Sequence, residues 1–387
     1  MHPILVASLA ALGAAATLSA QQDPKPRPLG AMIGEFPQTF SNVRGFASVG
    51  DGRLVVSDRG EQRLSLIEFA SGTAKSLSRK GGGPLEYTEL GGLYHTKGGG
   101  VALYDQNRVR LLGITPTGEL VELPPIPTRP GGRAYSVSDR GPDLYTPDSL
   151  GQFYWSSRSF GMPPNRANGE IQPSPGLPVL RIRSPAEVDT VAMLRQPPSR
   201  TVSTGPGMTS SQTVLYSPVD LWALSPDGWL AVVRSVPYRV EWHPPRGAVV
   251  QGPVIPYTAL RVTDADRAIF EKPAGGPPQI MGARTTGEGV RMAPVGGGGQ
   301  ALFADAKPAF PNEQVPLIDH NGRLWVERYT ANQKEGRVYD VFDRAGALAD
   351  RVLMPAGVRL VGFDRNSVYG VRADDDDLLH LQRFRLR

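Results

Sequence analysis

The chain of 387 residues contains no cysteine. That absence excludes disulfides, thiolate metal sites, a cysteine nucleophile and a lipidated amino-terminal cysteine together, so stability has to come from packing and chain closure. Histidine is also scarce: five occur, at positions 2, 95, 243, 320 and 380, and no two stand at a metal-ligand spacing along the sequence. A zinc site is therefore not expected, and His95 and His320, each beside a turn, read as solvated side chains. Lysine is rare at seven residues, so the formal charge of +5 is carried by arginine, and there is no basic run of the kind that meets nucleic acid. Beyond the amino terminus no apolar run approaches the roughly eighteen residues that a membrane-spanning helix needs. No Gly-x-Ser-x-Gly elbow occurs, and Gly296 to Gly299 lacks the Lys-Ser/Thr pair of a phosphate-holding loop.

What is present begins with an apolar stretch from Ile4 to Ala16, followed by Thr17-Leu18-Ser19-Ala20. A stretch this short before small residues has the form of a secretory signal, with cleavage expected after Ala20. Residues 1–20 are thus read as a signal peptide and 21–28 as a flexible segment, and the mature chain is expected to be secreted or periplasmic. Gly at 45 and Pro at 37 suit many tight turns and disfavour long helices.

A repeat runs through the remainder. Turns at Asp51-Gly52, Gly98-Gly99-Gly100, Leu150-Gly151, Asp227-Gly228, Asn321-Gly322 and Arg365-Asn366 each precede a short β-branched or aromatic run, such as Leu54-Val55-Val56 or Leu324-Trp325-Val326. Gly and Asn accept the positive φ of primed hairpin turns, so each unit predicts a hairpin. The intervals are roughly 47, 52, 77, 94 and 44 residues, and three match one four-stranded blade of about 40 to 50. The fold expected from this pattern is all-β: a six-bladed β-propeller over residues 29–387, closed by an amino-terminal strand and carrying one helix-bearing insertion. The last repeat, ending in Leu378 to Arg387, supplies only three strands, and Leu29-Gly30-Ala31-Met32-Ile33-Gly34 is the expected donor of the fourth.

The two long intervals call for insertions. Residues 159–176 and 197–211 read as loops, with a hairpin between them over Val179 to Arg183 and Val188 to Leu194. The longest insertion, about 258–311, holds a short helix from Asp264 to Lys272 capped by Thr263 and Asp266, then Gly- and Pro-rich stretches, and is expected to form a lid or rim.

The run Gly81-Gly82-Gly83-Pro84-Leu85-Glu86-Tyr87 leading into Leu90-Gly91-Gly92-Leu93, with Asn321 to Val326 and Val341-Phe342-Asp343 before Gly346, resembles bacterial secreted six-bladed β-propellers related to NHL-repeat propellers. The resemblance spans nearly all of the expected mature chain. It implies a fold and leaves the activity open, because propellers host many unrelated functions.

Aligning the six hairpins on their turns brings Asp58, Asp105, Ser157, Arg234, Arg328 and Arg372 to one repeat position. Three guanidinium groups at a common mouth would attract an anion, with Tyr238 and Tyr329 as neighbouring stacking surfaces. The competing structural reading is that the acids cap turns and the arginines pair with acids of adjacent blades. The first functional expectation is a non-catalytic ligand- or protein-binding propeller of the cell envelope or extracellular space, recognising an unidentified protein, glycan or small anion. No catalytic residue, cofactor or metal is assigned to it. The alternative is a calcium-dependent hydrolase, lactonase or lyase of the gluconolactonase-like type, for which Asp58, Asp105 and Asp220 are the candidate acids; the arginines at matching positions oppose a cation there. The Asp374 to Asp377 run reads as a solvated turn rather than a calcium loop.

Overall fold

A computed structural model describes residues 25–387 apart from 51, 97–98, 106, 109, 127–145, 149, 157–169, 185, 206–207, 272–279, 287–288, 296–300 and 387. The expected signal peptide, Ser157, most of the 159–176 loop and Gly296 to Gly299 lie outside the described residues. Among the described residues no helix is long and apolar enough to cross a membrane.

Six of the sheets are built on antiparallel four-strand meanders; the fifth adds a short parallel strand at its edge, and the sixth takes its outer strand from the amino terminus. The first sheet contains Val43–Gly50, Arg53–Asp58, Arg63–Glu68 and Thr73–Ser78, and the second Leu90–His95, Val101–Asp105, Arg110–Ile114 and Leu120–Glu122. The third contains Thr146–Pro147, Phe153–Ser156, Leu177–Ser184 and Glu187–Leu194, and the fourth Leu221–Leu224, Leu230–Ser235, Tyr238–His243 and Val250–Gln251. The fifth is built from Leu317–Ile318, Leu324–Arg328, Val338–Phe342 and Leu348–Leu353. The sixth takes Val358–Phe363, Ser367–Ala373 and Leu379–Arg385 from the carboxyl terminus and Met32–Phe40 from the amino terminus.

Second strands are apolar on both faces, as Leu54-Val55-Val56 at 0–1% exposure shows, because each sheet is covered on both sides by its neighbours. The covering follows a cycle. Val55 and Leu64 of the first sheet share a hydrophobic cluster with Leu103 and Leu112 of the second. Tyr104 of the second packs with Trp155 and Ile182 of the third, and Tyr154 and Val179 of the third with Trp222 and Leu230 of the fourth. Val240 and Trp242 then meet Val326 and Phe342 of the fifth, whose Val341 and Val352 meet Leu360 and Phe384 of the sixth. The last cluster returns to the start, joining Tyr369 and Leu381 of the sixth sheet to Leu54 and Ile67 of the first. The chain is a β-propeller.

Closure uses the amino-terminal strand. Met32–Phe40 runs antiparallel to Leu379–Arg385, from Met32 opposite Phe384 to Phe40 opposite Leu379, and drops Phe36 and Phe40 into the closing cluster. The strand begins three residues later than the expected donor and continues past it. Residues 21–28 are not wholly flexible either: Arg27–Pro28 pairs parallel with Val352 and Leu353 of the fifth sheet, held by Arg27 Nε donating to Asp350 at 2.6 Å.

The turn glycines behave as their spacing predicts; Gly52 and Gly322, for example, have φ of 72° and 74°. The helix forms over Asp264–Glu271, and its cap is reciprocal: Asp266 N–H donates to Thr263 Oγ1 at 3.3 Å while Thr263 N–H donates to Asp266 Oδ2 at 2.9 Å. The reading of 197–211 as a loop is corrected, since Ser199–Gly205 and Met208–Leu215 form a hairpin. That hairpin, with Ile171–Gln172, Ile280–Thr286, Gly289–Val295 and Leu302–Phe303, makes a seventh sheet from the two insertions. Among the described residues it contributes to none of the six clusters, so it stands off the cycle. Its polar Ser-Thr-rich strands lack the apolar run that marks the others, which hid them in the sequence.

Candidate functional site

Each first strand starts at one end of the propeller axis and turns into its second strand at the other. At the starting end, a polar side chain fastens the chain entering a sheet to the end of that sheet's second strand. Asp58, 1% exposed, accepts the backbone N–H of Ser41 at 2.7 Å and of Asn42 at 2.9 Å, just ahead of Val43–Gly50. Asp105, fully buried, accepts the N–H of Thr88 at 3.2 Å and of Glu89 at 3.1 Å, ahead of Leu90–His95. In the fourth sheet Asp220 does the same with the N–H of Ser235 and of Arg195, both at 2.9 Å. In the fifth, Gln314 accepts from Glu327 N–H and donates to Glu327 O, both at 2.6 Å. Carboxylates engaged this way satisfy buried backbone donors that would otherwise be orphaned.

The expected arginine ring divides. Arg234 donates to Glu241 at 2.7 Å, to Asp220 at 3.0 Å and to the Met193 carbonyl at 2.6 Å. Arg328 lies 3.5 Å from Asp340, a carboxylate with no exposure that also takes the Nε–H of buried Arg351 at 2.6 Å. These two cations balance buried acids, whose charge would be costly uncompensated, rather than facing a shared mouth. Tyr238 is corrected as well: at 1% exposure its ring packs against Phe310 and Phe342, and its hydroxyl donates to Asp340 at 2.9 Å. Burial and that neighbouring carboxylate push its pKa well above the ordinary tyrosine value. Tyr329 is half-buried, its ring 5.2 Å from the Lys307 ammonium, which also sits 5.5 Å from Tyr216 and pairs with Asp266 at 2.6 Å. Its aromatic face is thus taken by a cation of the chain itself.

Arg372 differs from the other two. It is exposed at the end of its strand and makes no ion pair among the described residues. One register step away, Arg359 of Val358–Phe363 is also exposed and has no hydrogen bond or ion pair among the described residues. Burial among the sheet walls depresses its pKa, reinforced by the charge of Arg337 and opposed by Tyr339 and by the carboxylate of Glu327. It still carries its charge at any physiological pH. Sequence reasoning passed over Arg359; the available signal was an arginine interrupting the apolar strand Val358-Arg359-Leu360-Val361.

At the turn end, the rings of His95 and His320 lie 6.1 Å apart, crossed at 62°. His95 ends the first strand of the second sheet and His320 occupies the first turn of the fifth. Those sheets stand three steps apart in the cycle, on opposite sides, so side chains from both can meet only at the axis. Burial, with a smaller push from His320, lowers the His95 pKa to about 4. Reading both histidines as solvated turn residues was therefore wrong for His95. The Asp374 run is the exposed turn that was expected: Asp374 Oδ1 accepts the N–H of Asp376 and of Leu378 at 3.0 and 2.9 Å. A depression of about 200 Å³ lined by Arg53, Leu66, Glu68 and Lys75 lies on the second to fourth strands of the first sheet, apart from both ends of the axis.

No family model matches the chain, and no curated protein matches it. Solved structures of similar architecture include a member of the DUF4221 family from Bacteroides vulgatus, 10% identical with a TM-score of 0.47 over 93% of this chain and 96% of that one. A gluconolactonase from Xanthomonas campestris is 14% identical, TM-score 0.42, over 93% and 95% of the two chains. Virginiamycin B lyase from Staphylococcus aureus is 13% identical, TM-score 0.36, over 92% and 99%.

Proposed function

We propose that the chain is a six-bladed β-propeller that takes a small anionic ligand at the starting end of its axis, through Arg359. The six-blade count rests on the six clusters that join consecutive sheets and return from the sixth to the first. The observation that carries the ligand reading is the Arg359 guanidinium, solvent-accessible and with no ion pair among the described residues, where Arg234 and Arg328 are held by buried acids. A planar guanidinium free to make paired hydrogen bonds suits a carboxylate, phosphate or sulfate. The signal-like stretch Ile4 to Ala16 followed by small residues supports a secreted or periplasmic setting. Calorimetric titration with citrate and with inorganic phosphate tests the reading. Arg359→Ala is expected to weaken whichever anion binds by roughly tenfold or more, and equal affinity in the variant would discard it.

A second reading is catalytic, a hydrolase, lactonase or lyase, in keeping with the names of two solved structures of like architecture. Within this chain the favouring observation is His95, whose low pKa leaves it the neutral imidazole that a general base requires. The calcium-dependent form of that reading does not fit the described residues: Asp58, Asp105 and Asp220 are engaged by backbone N–H groups, and no three His, Asp or Glu side chains converge among them. Turnover of an aldonolactone by the wild type, lost in His95→Gln, would support catalysis; turnover surviving that change would remove His95 from it.

A further inference from the structure

We propose that His95 and His320 form a binding site on the propeller axis for a single borderline or soft transition-metal ion, Zn(II) or Cu(II) rather than Ca(II) or Mg(II). The geometry is the first support. With a metal–nitrogen bond of about 2.0–2.1 Å, an ion sits roughly 3.2 Å from the centre of an imidazole that binds it, so two rings on one ion have centres about 5–6.4 Å apart depending on the angle. At the tetrahedral angle of a zinc site the two centres would stand about 5.2 Å apart, so the observed 6.1 Å leaves the rings to close by roughly 1 Å on the ion.

The second support is that the donors are unengaged. Neither ring has a hydrogen bond or ion pair among the described residues, whereas His380, by contrast, is held between Glu35 at 3.0 Å and Asp374 at 2.8 Å. Position contributes a third. His95 closes a strand in the cyclic core and His320 sits in a turn whose Asp319 carboxylate accepts Asn321 N–H at 2.9 Å and Trp325 Nε1–H at 3.0 Å. Two rigid supports on opposite sheets fix the gap in advance.

Donor chemistry selects the ion. Two imidazoles without a converging carboxylate favour zinc or copper over hard cations, which require oxygen ligands. The neighbouring Asp319 is not a further ligand, because Arg323 at 2.8 Å and Trp325 engage its second oxygen. The remaining coordination positions are left to water or to a donor atom brought by a ligand, the arrangement of an open rather than a closed site.

The test uses the whole chain, stripped with a chelator and titrated with ZnCl2 by calorimetry. One ion per chain is expected, with His320→Gln weakening binding by roughly a hundredfold and His380→Gln leaving it unchanged. His320 is exposed, so its replacement leaves the core intact; His95→Gln, checked for fold by circular dichroism, should give the same loss. With CuSO4, electron paramagnetic resonance should show hyperfine coupling to two imidazole nitrogens in the wild type and to one in His320→Gln. No binding by the wild type, or unaltered affinity and spectrum in His320→Gln, would overturn the proposal. So would loss in His380→Gln alone, which would move the ion to the Glu35–Asp374 cluster.

Discussion

Replacing Phe36 by alanine probes whether the amino-terminal strand locks the ring. Phe36 is 2% exposed, stacks on Phe40 at 6.2 Å and leans on Phe69 of the first sheet at 5.8 Å, so one side chain from the closing strand bridges the sixth and first sheets. A buried phenylalanine removes about 150–250 Å² from water, worth about 4–6 kcal/mol at 25 cal/mol per Å². A compact unfolded ensemble reduces that by roughly 10–40%, while the cavity left behind adds to it, so a net loss of about 3–5 kcal/mol is expected. Equilibrium unfolding in urea, followed by tryptophan fluorescence, reads it as a fall in the midpoint at unchanged slope. Met32→Ala in the same strand, at a residue 54% exposed, is the control and should stay within about 0.5 kcal/mol. If Phe36→Ala cost no more than the control, the strand would be ornamental and closure would lie elsewhere.

Other outcomes follow from the polar clusters. Arg351→Ala leaves Asp340, with no exposure, short of its 2.6 Å partner, and is expected to cost about 3–5 kcal/mol in the same unfolding assay, whereas Arg372→Ala at the surface should cost almost nothing. Arg328→Ala should lower stability through the same carboxylate while leaving anion affinity largely intact, the reverse of Arg359→Ala. The His380 latch on the closing strand predicts a pH signature. Hydrogen bonding to Asp374, and then to Glu35, raises the His380 pKa above its ordinary 6.5, so its contribution is complete below 6.5 and disappears as pH climbs through the raised value. Glu35, lowered chiefly by the Gln382 hydrogen bond, contributes above its ordinary 4.5 and loses that as pH falls through the lowered value. The melting-temperature difference between wild type and His380→Gln, measured from about pH 4 to 9, should therefore peak between those limits. A difference that does not vary with pH would show the latch to be inert.

Local signals were legible where one short segment decides its own conformation. Gly52, Gly228 and Gly322 announced hairpins because a positive φ is a property of a turn and its residue, and Thr263 with Asp266 announced a helix because a capping box closes within three residues. The hairpin Ser199–Gly205 with Met208–Leu215 was not legible, since strands outside the cyclic core need no apolar alternation. The arginines were legible as charges but not as roles. Arg234 and Arg359 both sit in strands, and only the placement of Asp220 and Glu241 beside the first separates a neutralising cation from an available one.

From the order of residues alone came the all-β class, the recurring hairpins, the short final repeat that required a strand from the other terminus, and the exclusion of disulfide and thiolate chemistry. Each depends on backbone preference or on which atoms the chain possesses. Tertiary structure alone decided which first strands face one another, that the seventh sheet stands aside, and that His95 and His320 meet. Contact across a ring is set by how many sheets separate two residues, and distance along the chain carries no measure of that.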